Sequence, residues 1–258
     1  MFRPRIIPVL LLKNLGLVKS IKFKNYRYIG DPINAVKIFN DKKVDELVFL
    51  DITASKENRL IPLDFVYKVG DEANMPFGVG GGIRQLDDIR HILKLGAEKV
   101  ILNTIAAENI EFVRYASEEF GSSTITVCVD IKKDIFGKYK VVYKGAKKKL
   151  KVPLNEYVQM LEYKGAGELI IQSVDRDGTY EGYDLQLIKY ISDLVTIPVI
   201  ALGGAKDYQD FRDAVEKSYA SAVAAGSLFV YHGPRRAVLI NYPSKEEMNN
   251  IFNYENTF

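Results

Sequence analysis

The run Phe77-Gly78-Val79-Gly80-Gly81-Gly82-Ile83-Arg84 sets three consecutive glycines between an apolar stretch and a helical pattern that opens through Gln85 and Leu86. A turn without Cβ atoms lets backbone N–H groups approach an anion. The helix start behind it adds unpaired donors of its own. Phosphate is the guest that this chemistry suits. The device recurs in Pro198-Val199-Ile200-Ala201-Leu202-Gly203-Gly204-Ala205, again ahead of a helical run at 207–217. Gly81 to Gly203 and Gly82 to Gly204 are both 122 positions apart, as are Glu46-Leu47-Val48 and Glu168-Leu169-Ile170. One glycine run alone reads equally well as a plain tight turn; two at a shared offset argue for a repeated grip. Asp51 and Asp130 each close an apolar stretch, where a carboxylate could move a proton.

Positioning such groups needs regular elements, and the chain supplies them in alternation. Strand patterns fall at 5–12, 46–51, 77–80, 99–104, 124–130, 168–173, 198–202 and 221–225. Helical periods fall between them at 35–40, 63–69, 87–95, 111–120, 154–164, 184–194 and 207–217, the first introduced by Asp31-Pro32. Residues 13–30 read as a polar loop, and 135–151 as a hairpin turning near Gly137-Lys138 and Gly145-Ala146. Eight apolar strands alternating with helices predict an α/β chain folded as a single (β/α)8 barrel. The common offset predicts two similar half-barrels, about 1–121 and 122–243, with a short tail at 244–258. A doubly wound open sheet is the alternative. In a barrel the carboxyl ends of the strands gather Asp51, Gly82, Asn103, Asp130, Asp177, Gly178, Gly204 and Ser227 around one rim.

Composition narrows the class. At 258 residues and 47% hydrophobic content the chain can bury one large core, and a net charge of +3 does not argue for nucleic acid or membrane. The single cysteine, Cys128, excludes an internal disulfide and reads as a small buried apolar residue. Met1-Phe2-Arg3-Pro4-Arg5 leads straight into a strand, and no apolar run approaches the ~20 residues of a spanning helix. A soluble cytoplasmic protein is predicted. His91 and His232 complete neither a nucleophile triad nor a metal cluster, so no metal and no cofactor are expected. The lysines at 147–149 and 151 read as a solvated loop rather than a docking patch.

Arg5-Ile6-Ile7-Pro8, 48–54 (Val-Phe-Leu-Asp-Ile-Thr-Ala), Gly80-Gly81-Gly82-Ile83-Arg84, Asp175-Arg176-Asp177-Gly178-Thr179 and Gly203-Gly204-Ala205 together resemble the cyclase subunit of imidazole glycerol phosphate synthase, over essentially the whole chain. The resemblance implies one phosphate at Gly82, Asn103 and Thr104, and another at Asp177, Gly178, Gly204, Gly226 and Ser227. It also implies a glutaminase docked under the barrel, whose ammonia passes a ring of Arg5, Glu46, Lys99 and Glu168. Those four also read as a structural ion-pair network, but the presence of the full set favours a glutaminase-facing floor.

The mouth departs from the family pattern. Of the two aspartates that the cyclase uses as general acid and base, Asp130 is present, whereas Leu11 stands in the place of the other. Losing one positioned acid–base group forfeits ~10²–10⁴-fold in rate. Gln172 and Leu202 replace small hydroxyl residues, and Lys144-Gly145-Ala146-Lys147 replaces a glycine-containing motif. Together with 8–13, 22–25 and the tail Ala237-Val238-Leu239-Ile240-Asn241-Tyr242-Pro243, these changes are similar to the paralogous branch found with surface-polysaccharide genes. That branch implies a glutaminase partner and a separate ATP-using amidotransferase, together converting a sugar acetamido group to an acetamidino group. Two classes stay open: an enzyme acting on a phosphorylated small molecule through Asp130, with Lys19 or Asp51 assisting, and a conduit that passes ammonia without turnover of its own.

Overall fold

Strands that carry apolar residues on both faces must be covered on both, and closing the sheet inside a ring of helices does this. The structure is a computed structural model describing residues 3–233 and 235–252. Met1-Phe2 and the last part of the predicted tail, 253–258, lie outside the described residues. The barrel strands are β1 (Arg5–Lys13), β2 (Leu47–Asp51), β3 (Phe77–Gly80), β4 (Lys99–Leu102), β5 (Ile125–Lys133), β6 (Glu168–Ser173), β7 (Val199–Leu202) and β8 (Ala222–Ala225). Each lies parallel to its neighbours, and β8 returns to β1 with Arg5 opposite Ala222 and Pro8 opposite Ala225. The sheet is therefore closed, and the open-sheet alternative is set aside.

Period-2 alternation divides the side chains into two cores. Phe39, Phe49, Phe211 and Phe229 are fully buried in the large outer core. A separate inner cluster of Ile7, Val9, Val48, Ile101, Cys128, Ile170, Ile200, Leu202, Ala222 and Ala224, with Leu11 and Leu50 against it, fills the lumen. Helix Pro32–Asp41 begins where Asp31 caps the Asn34 N–H at 2.9 Å, with proline in its first turn.

Residues 13–30 are not a loop, which corrects the reading above. β1 runs into an antiparallel hairpin, Gly16–Ile21 with Lys24–Gly30, that stands over the barrel mouth. Both turns are two-residue turns with paired positive φ values, 52° and 61° at Asn14 and Leu15 and the same at Lys22 and Phe23. Tight hairpins of this kind ordinarily advertise themselves by Asn-Gly or Asp-Gly. Leucine, lysine and phenylalanine conceal them here. The second hairpin follows the expectation, with Tyr139–Tyr143 pairing β5 and Lys148–Lys149.

The first hairpin is latched to the loop after β6. Lys22 N–H donates to Asp177 O at 2.9 Å, and the Ser20 hydroxyl to the Asp177 carboxylate at 3.1 Å. Gly178 sits beneath at φ +70°, where a Cβ would fall 2.2 Å from Ser20 O. Gly178→Ala should therefore cost ~1–3 kcal/mol in urea unfolding and speed proteolysis within 14–30. Wild-type stability together with wild-type protection would show that the latch carries no weight.

Candidate functional site

Topology places the strand-end residues together without further help from the sequence. Leu11, Lys19, Asp51, Gly82, Asn103, Thr104, Asp130, Asp177, Gly178, Gly204, Gly226 and Ser227 all line one cavity at the carboxyl ends of the strands. The hairpin adds Phe23 and Tyr26 to its wall, a contribution invisible while that segment read as a loop.

At both glycine turns, a neighbouring loop presses on the glycine. A Cβ on Gly82 would fall 1.8 Å from Arg59 O, and one on Gly204 2.3 Å from Gly182 O. Both residues have positive φ, +71° and +105°. Glycine is thus required for loop packing as well as for open backbone donors. Among the described residues, neither the Gly82 nor the Gly204 N–H has a hydrogen-bond partner, so each buried turn keeps a donor for an anion.

The charged groups of the mouth differ in how far they are committed. The Asp51 carboxylate accepts from Thr53 N–H (3.0 Å), the Thr53 hydroxyl (3.0 Å), Ala54 N–H (3.1 Å) and the Arg59 guanidinium (2.6 Å). It fastens the loop after β2. Lys19 is buried; its ammonium donates to Val9 O at 2.6 Å and lies against Gly226, where a Cβ would come within 2.3 Å of Nζ. Asp177 accepts from Ser20 and, at 3.2 Å, from the Gln172 amide. Burial pushes its carboxyl above the ordinary range against the pull of Lys19.

Asp130 is held less firmly, accepting from the Cys128 thiol at 3.8 Å. Burial pushes its carboxyl up to about 7, with Asn103 acting the other way and Asp177 adding to the rise. Burial pushes the Lys19 ammonium down to about 8, opposed by Asp177. Both groups titrate near neutrality, where general acid–base groups work best. Across the lumen Leu11 packs with Leu50 against the inner cluster and offers no proton. Burial raises the Cys128 thiol well above its usual value, so it stays protonated beneath Asp130. Among the described residues no group of three or more His, Cys, Asp or Glu side chains is placed to hold a metal, and no helix is long and apolar enough to cross a membrane.

At the opposite end, the first inward positions carry Arg5, Glu46, Lys99 and Glu168, and these close into a ring. Arg5 pairs with both Glu46 and Glu168; Lys99 pairs with Glu46 at 3.3 Å and with Glu168 at 2.9 Å. Just above, Thr126 sits beside Glu168 in register, and its buried hydroxyl has no partner among the described residues.

The profile of the family described as histidine biosynthesis protein matches residues 5–234. A Pseudomonas aeruginosa protein provisionally named imidazole glycerol phosphate synthase subunit hisF2 is 44% identical over 248 residues, 96% of this chain and 99% of its own. A Leptospira interrogans protein provisionally named imidazole glycerol phosphate synthase subunit HisF is 42% identical, over 98% of this chain and all of its own. Imidazole glycerol phosphate synthase subunit HisF of Alkaliphilus metalliredigens is 42% identical over 90% of this chain and 92% of its own.

The raised carboxyl at the mouth yields a test. A folded-state value near 7 against an unfolded value near 4 means that the native state holds the extra proton, so this contribution is full below about pH 4 and lost as pH rises through 7. Asp130→Asn should gain stability relative to wild type between pH 5 and 8, on the order of a few kcal/mol. A gap between the two that stays constant from pH 4 to 9 would contradict the assignment.

Proposed function

Because the chain belongs to the histidine biosynthesis protein family, among the relatives of the imidazole glycerol phosphate synthase subunit HisF, we propose that it is the ammonia-receiving barrel subunit of a glutamine-dependent amidation system. The observation that carries this reading is the contrast between the two ends of the lumen. The floor keeps a complete ring of four charges, while the mouth sets Leu11 opposite Asp130. Ammonia released by a glutaminase at the floor would pass the ring and meet the unpartnered Thr126 hydroxyl, then travel along an apolar wall toward Asp130. The substrate class is a surface-polysaccharide sugar whose acetamido group becomes acetamidino. An amide oxygen is a poor leaving group, so a separate ATP-using amidotransferase would activate it before ammonia adds. The mouth would hold a phosphorylated ligand, one phosphate at Gly82, Asn103 and Thr104 and the other at Asp177, Gly178, Gly204, Gly226 and Ser227, with Lys19 beside the second.

A second reading, closure of imidazole glycerol phosphate from its ribulosyl precursor in histidine biosynthesis, is favoured by Asp130 and by the names of the relatives. One assay separates the two. With the precursor and high ammonium, the chain should turn over at least ~10²-fold more slowly than an ordinary cyclase, because one of two acid–base groups is missing. Turnover within about tenfold would favour the cyclase reading instead.

The floor supplies the second test. Lys99→Met deletes one ring cation while keeping its stem, and should cost less than the ~3–5 kcal/mol of breaking a fully buried pair, since Lys99 is partly exposed. In a reconstituted complex with its glutaminase, more glutamine should be hydrolysed per amidated product. A purely structural ring would lower stability and leave that ratio unchanged. Absence of any association with the glutaminase at micromolar concentrations would end the conduit reading.

A further inference from the structure

Beside the mouth lies a second cavity, lined by Tyr180, Lys206, Leu228, Tyr231, His232 and Arg236, with no carboxylate in its wall. Tyr180 lines both cavities and is the side chain that they share. The Arg236 guanidinium lies over its ring, 5.0 Å from the centroid, and Leu228 of the second cavity follows Ser227 of the first directly in the chain. Among the described residues neither the Arg236 guanidinium nor the Lys206 ammonium forms an ion pair with a carboxylate, although most lysine and arginine side chains packed along the helices do.

The wall carrying Arg236 is held in place by more than its own turn. Tyr231 and His232 pair with Val238 and Ala237. Leu239 N–H donates to Val230 O at 3.0 Å and Asn241 N–H to Phe229 O at 2.9 Å, while the Asn241 amide reaches Leu228 O at 3.2 Å. The segment 237–243, singled out in the sequence and not used by the ring or the glycine turns, is thus the strap that presents Arg236, at φ +50°, over the Tyr180 ring. A non-glycine residue in this region persists only where the surroundings hold it.

We propose that this pocket binds the outer phosphoryl group of a diphosphate whose inner phosphoryl occupies the turn at Gly204, Gly226 and Ser227. The inference rests on the phosphate-binding mouth of the proposed function and narrows its ligand to a diphosphate ester. A single phosphate at that turn already has the Gly204 donor and the neighbouring Lys19. The additional charge of a diphosphate calls for additional cations, and a guanidinium fork with an ammonium suits a phosphoryl group.

Calorimetric titration with orthophosphate and with pyrophosphate tests the proposal, using wild type and the double variant Arg236→Asn, Lys206→Met. Asparagine tolerates the left-handed backbone at position 236, and Lys206 is exposed, so the fold is retained. Wild type should bind pyrophosphate at least ~10-fold more tightly than orthophosphate. In the double variant that preference should fall to about twofold or less, with orthophosphate binding unchanged. A preference missing from wild type, or surviving the double substitution, overturns this inference while leaving the phosphate-binding mouth intact. Failure of orthophosphate to bind wild type at all overturns the mouth itself. Uridine diphosphate and geranyl diphosphate then distinguish a nucleotide from a lipid source, each against its monophosphate; neither ester gaining over its monophosphate also counts against the proposal.

Discussion

Eight strands closing on themselves turn a side chain inward at every second residue, and at the floor of this barrel four of those side chains are charged. Desolvating such groups costs several kcal/mol each unless opposite charges and hydrogen bonds surround them. Arg5, Glu46, Lys99 and Glu168 meet the condition only as a set, each cation touching both carboxylates. That set joins β1, the residue leading into β2, β4 and β6, so it can exist only when the sheet has closed in the observed register. Above it the lumen is apolar as far as Asp130, apart from the Thr126 hydroxyl. The barrel is therefore polar at both ends and greasy between.

Burial has the opposite result at the mouth. Asp51 is surrounded by donors and is spent on holding its loop. Asp130 has no such cage, so burial drives its carboxyl toward the neutral form. Similar strand-end aspartates thus differ through their surroundings, one caged by donors and one pushed by burial toward its neutral form. Leu11 faces the lumen with an apolar side chain, and Gln172 steadies Asp177 where a smaller side chain would leave room.

Much of this was legible in the residues. β6 at 168–173 and the helix at 111–120 coincide with their apolar patterns at both ends, because buried parallel strands and one-sided helices write their period directly into the chain. The gathering of strand-end residues followed from barrel topology alone. Contacts that are local neither in sequence nor in pattern could not be read. Arg59 O against Gly82, Tyr180 under Arg236, and Lys19 against Gly226 are meetings of segments that follow different strands. The hairpin at 16–30 was missed for a different reason: positive-φ turns at Asn14-Leu15 and Lys22-Phe23 carry side chains that usually avoid that conformation.

The contact of each turn glycine with a carbonyl of another loop constrains how the mouth can be remodelled. Gly82 fits only beneath the backbone of residue 59, and Gly204 only beneath that of residue 182. The loops after β2 and β3 therefore form one interlocked unit, and those after β6 and β7 another. Grafting a single rim loop from a relative would separate a glycine from the carbonyl that it accommodates, whereas exchanging both members of a unit would carry the fit along. Diversity at this rim is thus expected to arise in blocks of two loops.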